Sequence, residues 1–265
     1  MERLRYDSLT RLADYVLDYE NSYYESMGIT VPHTKVPGEM DTENFEPGSR
    51  IFVKVDLLNY YAEFLSKIPV PFHLLTGRAA KSPALSDIEN ILKNKNVVSW
   101  VGTNIPQMND SIMQVPIGFQ EEGSERPNGS FPFPELKEKL NDIVLTYIGD
   151  THESRKDIPK DLDILFVEQK EDYGQYLDHL NTSKYSICPR GFGIDTHRVY
   201  ESIAMNSIPI VLTSILDPLY NKLNCIILDS WDHIEYGLME KTLNREQVTF
   251  DYWRKEIEKF QNDRL

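Results

Sequence analysis

Between Ser183 and Thr213 the chain reads SKYSICPRGFGIDTHRVYESIAMNSIPIVLT, and no other stretch narrows its fold so far. Tyr185 to Cys188 is a short apolar run with the character of a buried strand, and Pro189, which lacks an N–H, ends it. The chain turns through Arg190-Gly191-Phe192-Gly193, where two glycines permit positive φ and close approach of a ligand to the backbone. Asp195 or Thr196 can cap a helix that starts near His197. Val199, Tyr200, Ile203 and Ala204 give that helix an apolar side, and Arg198, Glu201 and Ser202 fall elsewhere on its surface. Ile208 to Leu212 follows as a second strand, with Pro209 near its start, where a missing donor is tolerated.

A glycine turn that leads from a strand into a helix N-terminus aims backbone N–H groups at one place, which suits an anion. Arg190, His197 and Arg198 add side-chain charge there. A phosphate or diphosphate is the simplest ligand for such a place. Glu201, about one turn into the helix, can accept hydrogen bonds from two vicinal sugar hydroxyls, so the stretch suits the diphosphate and ribose of a nucleotide. A plainer reading stands beside this one: Arg198 and Glu201, three apart, also suit a surface ion pair of about 0.2–0.5 kcal/mol.

The ordered string Cys188-Pro189-Arg190-Gly191, Gly193, Thr196-His197-Arg198, Glu201-Ser202 and Ile208-Pro209-Ile210-Val211 resembles the signature of exostosin-like glycosyltransferases, C-P-R-G-x-G-x-x-S/T-x-R-x-x-E-A/S followed by I-P-V-I/V. Where that family carries glycine between helix and strand, this chain has Asn206-Ser207, and asparagine is the next most tolerant residue for a left-handed helix end. Trp100 to Asn104, Val115-Pro116-Ile117-Gly118 and Phe72 to Thr76 are similar to upstream segments of short members of the family.

Along the rest of the chain, Leu9, Leu12, Ala13, Val16 and Tyr19 have the spacing of an amphipathic helix. Gly28 to Gly48 is irregular and long for a connection. Ile51 to Val55 reads as a strand with Asp56 at its end, followed by a helix with Leu57, Tyr61, Phe64, Leu65 and Ile68 on one face and by a strand from Phe72 to Thr76. Strand, helix and strand in that order imply a parallel sheet. Ser82-Pro83 signals the start of a helix bearing Leu85, Ile88, Ile91 and Leu92, and Val97 to Val101 and Gln114 to Ile117 read as strands. Phe119 to Glu135, polar and rich in glycine and proline, reads as a linker. Beyond it come strands at Ile143 to Ile148, Asp163 to Val167 and Ile226 to Leu228, and helices at Tyr173 to Leu180 and Phe250 to Phe260.

The fold class is therefore α/β, with two Rossmann-like units. The resemblance implies the GT-B type: an acceptor-side lobe over 1–120, a nucleotide-sugar-binding lobe over 121–248, a C-terminal helix at 249–265 that returns to the first lobe, and an active site in the inter-lobe cleft. It further implies an inverting glycosyltransferase that works without a bound metal, with a nucleotide sugar and a glycan acceptor as partners. UDP-xylose, UDP-GlcNAc and UDP-galactose are the donor candidates. A GDP-sugar enzyme of the fucosyltransferase kind and a non-catalytic nucleotide-sugar-binding or glycan-binding module are the alternatives.

Arg190, Gly191, Phe192, Gly193, Thr196, His197, Arg198 and Glu201 are the donor-binding candidates, joined by Arg155 from the loop after the strand ending at Ile148. Arg190 is also the candidate to stabilise the leaving diphosphate. Asp56, at a strand end, is the candidate general base, with an ordinary helix cap as its plainer reading and His33, His73 and Asp87 as weaker choices. Arg78 and His33 are candidate donor or acceptor contacts. Asp161-Leu162-Asp163 spells a manganese-type D-x-D but leads into a strand, and no histidine or cysteine spacing suits zinc.

A net charge of −14 opposes nucleic acid or anionic membrane as partner, so an anionic donor needs a local basic pocket. Two cysteines in apolar runs, Cys188 and Cys225, suit reduced thiols packed in the core. The absence of a leader and of a long apolar run leads to the expectation of a soluble cytoplasmic enzyme, in a bacterial or a virus-infected host cell.

Overall fold

The computed structural model describes residues 2–18, 41–79, 81–120, 133–234 and 236–264. The chain divides into two compact units, residues 5–117 with 253–265 and residues 1–4 with 118–252, called here the N-terminal and C-terminal units.

In the N-terminal unit, β1 (Tyr15–Leu17), β2 (Ser49–Lys54), β3 (Phe72–Gly77), β4 (Val97–Gly102) and β5 (Ile112–Gln114) form one parallel sheet in that order. β3 is buried along its whole length and Ile51, Phe52 and Val53 of β2 are inaccessible, as the near-continuous apolar runs of a sheet covered on both faces require. α1 (Leu58–Ser66) buries Leu58, Tyr61, Phe64 and Leu65, and α2 (Leu85–Leu92) buries Ile88 and Ile91. Both helices join a core that includes Leu74, Trp100 and Ile112.

Residues 2–18 depart from the expected amphipathic helix, and Tyr19 of that expectation lies outside the described residues. Ser8–Leu12 is a short 3-10 turn, and the chain then extends into β1 and pairs with β2 in parallel. The helical spacing of Leu9, Leu12 and Val16 loses to sheet pairing, because the edge of β2 offers unpaired backbone groups and Asp14 accepts from Arg50 N at 2.8 Å. α2 begins two residues later than Ser82-Pro83 suggests, with Ala84 at its N-cap and no side-chain cap bond. β5 covers Ile112–Gln114, so of the expected strand at 114–117 only the first residue lies in the sheet.

The C-terminal unit contains β6 (Asn141–Leu145), β7 (Leu165–Phe166), α3 (Tyr173–Asn181), β8 (Ser183–Ile187), α4 (His197–Ala204), β9 (Ile208–Leu212), α5 (Asp217–Lys222) and β10 (Ile226–Leu228). The sheet is parallel in the order β10-β9-β8-β6-β7. α3 starts with a capping box between Asp172 and Gln175, and α4 ends in Asn206 at φ 54°, the left-handed turn expected there. β6 stops at Leu145, short of the expected Ile148, and β7 keeps only two half-buried residues at the sheet edge. α5 has no counterpart among the sequence expectations. Residues 2–4 belong to this unit: Arg3 bridges Thr249, Leu4 N donates to Val248 O at 3.0 Å, and Phe119 N donates to Leu4 O at 2.8 Å. α6 (Phe250–Asn262) is grouped with this unit through Tyr252 and with the N-terminal unit from Trp253.

Two parallel sheets flanked by helices confirm the α/β class. The sheets differ in one respect that places the site. The N-terminal sheet runs in chain order, whereas in the C-terminal sheet β7 lies on one side of β6 and β8 on the other. The loops leaving β6 and β8 therefore diverge and open a crevice at the carboxyl ends of those strands, where open α/β sheets bind ligands. Among the described residues no helix is long and apolar enough to cross a membrane.

Candidate functional site

Two arginine side chains, Arg155 and Arg198, and the backbone turn at Arg190 meet at this reversal of strand order. Arg155, in the 3-10 turn Glu153–Arg155 of the loop after β6, donates from Nε to the Arg190 carbonyl and from Nη1 to the Gly149 carbonyl, each at 2.7 Å. Arg198, in the first turn of α4 and 8% exposed, donates from Nη2 to the Tyr147 carbonyl at 2.9 Å. Burial, and then the neighbouring Arg198 charge, push the Arg155 pKa down. Two guanidinium groups close enough to oppose one another call for an anion between or beside them. Asp150 offsets the Arg155 charge only from an exposed position, where it also faces Lys156 at 3.9 Å.

Around these arginines lie buried polar atoms that have no hydrogen-bond partner among the described residues: Arg198 Nη1, Arg190 Nε, and the hydroxyls of Thr146, Thr151 and Thr196. A buried donor left unmatched is costly, so five in two facing loops mark a place for an acceptor-rich ligand. Thr146, Thr151 and Trp231, whose buried indole N–H also lacks a partner among the described residues, had no sequence signal beyond their position just after strands. Three cavities open here. One of about 250 Å³ is lined by Thr146, Tyr147, Lys170, Tyr173 and Tyr176. Another of about 490 Å³ is lined by Thr146, Tyr147, Arg155 and Lys160, and a third of about 230 Å³ by His152, Arg190, Thr213 and Trp231.

The glycine turn is built differently from the expectation. Positive φ among the described residues belongs to Arg78, Asn104, Asn206, Asn224, Gly48 and Gly118, so neither Gly191 nor Gly193 uses it. Gly191 lacks a side chain for a steric reason: a Cβ there would sit 3.2 Å from Arg155 Nη2 and 3.4 Å from Thr151 Oγ1. Its amide donates to Gly193 O at 3.0 Å and is not turned to a ligand. Phe192 stands 68% exposed at the tip. Thr196 occupies the N-cap of α4 without capping it, and Asp195 anchors the turn by accepting from Thr196 N, Tyr200 and Tyr220. His197 turns Nδ1 to the Gly118 carbonyl at 2.6 Å.

α4 is buried on every side, which corrects the surface placement of Arg198, Glu201 and Ser202. Glu201 has no exposure, and its two oxygens accept from Tyr173 Oη at 3.1 Å and Tyr176 Oη at 2.5 Å. Burial and the adjacent Glu201 push the Tyr173 pKa up, which keeps that phenol a donor. Arg3, 3% exposed and set over the Phe119 ring at 5.0 Å, is close enough to feel the charges of Tyr173 and Glu201. Arg190 lines a cavity different from the one bounded by these tyrosines.

In the N-terminal unit, Asp56 is exposed at the carboxyl end of β2, and the adjoining N-cap positions fall on Lys54 and Leu57, so its plainer reading as a cap does not hold. Arg78, expected to touch donor or acceptor, is instead paired with Asp18 at 2.8 Å in a buried ion pair. His73 is 2% exposed and bonded to Ser99, which removes it as a base in contact with solvent, and Asp87 sits in the first turn of α2. His33 lies outside the described residues. Asp161 and Asp163 are exposed, and among the described residues no group of three histidine, cysteine, aspartate or glutamate side chains could hold a metal ion. Cys188 and Cys225 are buried free thiols, both raised in pKa by burial.

Two parallel α/β units, one with arginines and unmatched donors gathered where its strand order reverses, define the class: an α/β protein built from two parallel sheets flanked by helices. More particularly, residues 143–243 match the family model described as the RXYLT1 C-terminal domain. Among solved structures, the crystal structure of the DNA modifying enzyme β-glucosyltransferase, in the presence and absence of the substrate uridine diphosphoglucose, is similar at 12% identity. That likeness covers 95% of each chain with a TM-score of 0.34. Comparison with curated proteins gave no match.

Proposed function

We propose that this chain is an inverting, metal-independent glycosyltransferase that moves a sugar from a UDP-sugar to a hydroxyl of a glycan acceptor. The observation that carries the reading is the meeting of Arg155 and Arg198 with the backbone turn at Arg190, among unmatched buried N–H and O–H groups, where the strand order of the C-terminal sheet reverses. Fixed donors of this kind stabilise the charge that grows on a departing diphosphate without waiting for solvent to reorganise. Arg155, Arg190 and Arg198 lie inside the matched segment 143–243, whereas Asp56, Arg78 and His33 of the wider candidate set lie outside it. The resemblance to exostosin-like enzymes supplies inversion, independence from metal and the uridine nucleotide. Asp56 is the general base in this reading, an exposed carboxylate at a strand end. The net charge of −14 favours a glycan over a nucleic acid as acceptor.

The sealed state of Glu201 favours a second reading, a module that binds nucleotide sugar and transfers nothing. Calorimetry with UDP, GDP and inorganic pyrophosphate, followed by an assay of sugar transfer from UDP-xylose, UDP-GlcNAc and UDP-galactose, separates the two. UDP binding with transfer supports the enzyme, UDP binding without hydrolysis or transfer supports the module, and no binding of any nucleotide removes both.

A further inference from the structure

We infer that Tyr173 and Tyr176 occupy, at Glu201, the two positions that the vicinal hydroxyls of a ribonucleotide take on binding, so that the site closes on itself until such a diol displaces them. This rests on the nucleotide-binding reading above and adds the residues that decide how the diol is admitted.

One phenol donates to each carboxylate oxygen. Tyr173 Oη donates to Glu201 Oε1 and Tyr176 Oη to Oε2, at 3.1 and 2.5 Å. A vicinal diol offers the same number of O–H donors in the same sense. The phenols, and not the carboxylate, face the ligand space: both tyrosines line the cavity of about 250 Å³ with Thr146, Tyr147 and Lys170, and Glu201 does not. The two rings stack at 5.7 Å with 28° between planes, and the Arg198 guanidinium lies 5.3 Å from the Tyr176 ring, which joins the pair to the arginine cluster. Tyr173 is the first residue of α3 and only half-buried, in the turn of a helix that moves most easily.

A carboxylate with no exposure cannot be left without donors. The phenols supply one donor to each oxygen, and a ribose diol replaces them one for one. A deoxyribose cannot, and it binds with the tyrosines still in place. The unaltered chain therefore understates its preference for the diol, since every ribonucleotide gives up two phenol bonds to gain two sugar bonds. Removal of the phenol hydroxyls exposes the full preference.

Calorimetry on the full chain with UDP and 2′-deoxy-UDP tests this on the unaltered protein, Tyr173→Phe and the double variant Tyr173→Phe with Tyr176→Phe. The ratio of the two affinities rises at least tenfold in the double variant and by an intermediate factor in the single one. An unchanged ratio with UDP still bound overturns the inference and leaves the proposed function standing. Failure of the unaltered chain to bind UDP overturns the proposed function and this inference with it. Should the double variant not fold, Tyr173→Phe carries the affinity comparison, and tyrosine difference absorbance of the unaltered chain gives a second reading. UDP perturbs the tyrosine signal and 2′-deoxy-UDP does not; equal perturbation by both overturns the inference.

Discussion

Arg155 spans the strand reversal of the C-terminal unit and donates through Nε to the backbone carbonyl of Arg190 at 2.7 Å, tying the loop after β6 to the turn after β8. Its second bond, Nη1 to Gly149 O at 2.7 Å, ties the first loop to itself. Arg155→Ala loses two charge-assisted bonds and strips the Arg190 carbonyl of this donor, while Gly149 O still accepts from Thr151 N at 3.0 Å, a cost of about 2 kcal/mol in urea unfolding. Arg155→Lys recovers only part of this, because an ammonium cannot fork to two carbonyls as a guanidinium does.

Arg198 is held by one bond to the Tyr147 carbonyl and keeps a buried N–H without a partner among the described residues. Arg198→Met leaves the apolar packing of α4 largely filled and removes the charge. UDP affinity falls at least tenfold, and calorimetry at low and high salt shows a flatter salt dependence than the unaltered chain, because one fewer cation meets the diphosphate. Equal affinities in the two proteins would exclude Arg198 from the anion site.

Asp56→Asn separates chemistry from binding. The side chain is exposed and caps no helix, so the exchange changes stability by no more than about 0.5 kcal/mol. Sugar transfer is lost while UDP affinity holds. Full transfer by the variant would remove Asp56 as the base.

His73 makes the fold sensitive to mild acid. It is 2% exposed with Nδ1 2.7 Å from Ser99 Oγ, and burial, reinforced by the Arg50 charge, lowers its pKa from 6.5 to about 4. Between those values the unfolded chain takes a proton that the folded chain refuses. Stability is therefore full above pH 6.5, falls as the pH drops towards about 4, and loses at most about 3 kcal/mol from this group. His73→Gln removes that slope, which urea unfolding at a series of pH values measures by difference from the unaltered chain.

Gly118 has φ +70°, and a Cβ there would lie 2.4 Å from the Leu4 carbonyl oxygen, while its own carbonyl accepts from His197. Gly118→Ala forces the segment at residues 2–4 away or strains the backbone, at a cost of about 2–4 kcal/mol. Thermal unfolding records the loss, and a melting temperature within a degree or two of the unaltered chain would refute it.

Much of the fold was legible because apolar runs bounded by proline, glycine and asparagine have few alternatives. The strand at Tyr185 to Cys188, the helix from His197 and the strand at Ile208 to Leu212 stand where these residues put them, within two residues. Residues 9–16 fold otherwise than their spacing suggests, because periodicity reports which side chains are apolar and not whether a sheet edge waits nearby. Leu9 to Val16 satisfies both patterns, and pairing of β1 with β2 decided between them. The burial of Glu201 escapes the sequence for a related reason. Its place on α4 follows from spacing, but its burial follows from α3 packing over it with Tyr173 and Tyr176, a helix some twenty-five residues earlier in the chain.

The amino-acid order alone settled that this is a parallel α/β protein and that charge gathers around Arg190, since local sterics and hydrophobic burial act within a few residues. Only the tertiary structure decided that β6 and β8 are the neighbours between which strand order reverses, and that Arg155, thirty-five residues before Arg190, closes that gap. Strand order is a choice among long-range pairings of similar local energy. It is settled by how the helices cover the sheet, and no spacing of residues along the chain records it.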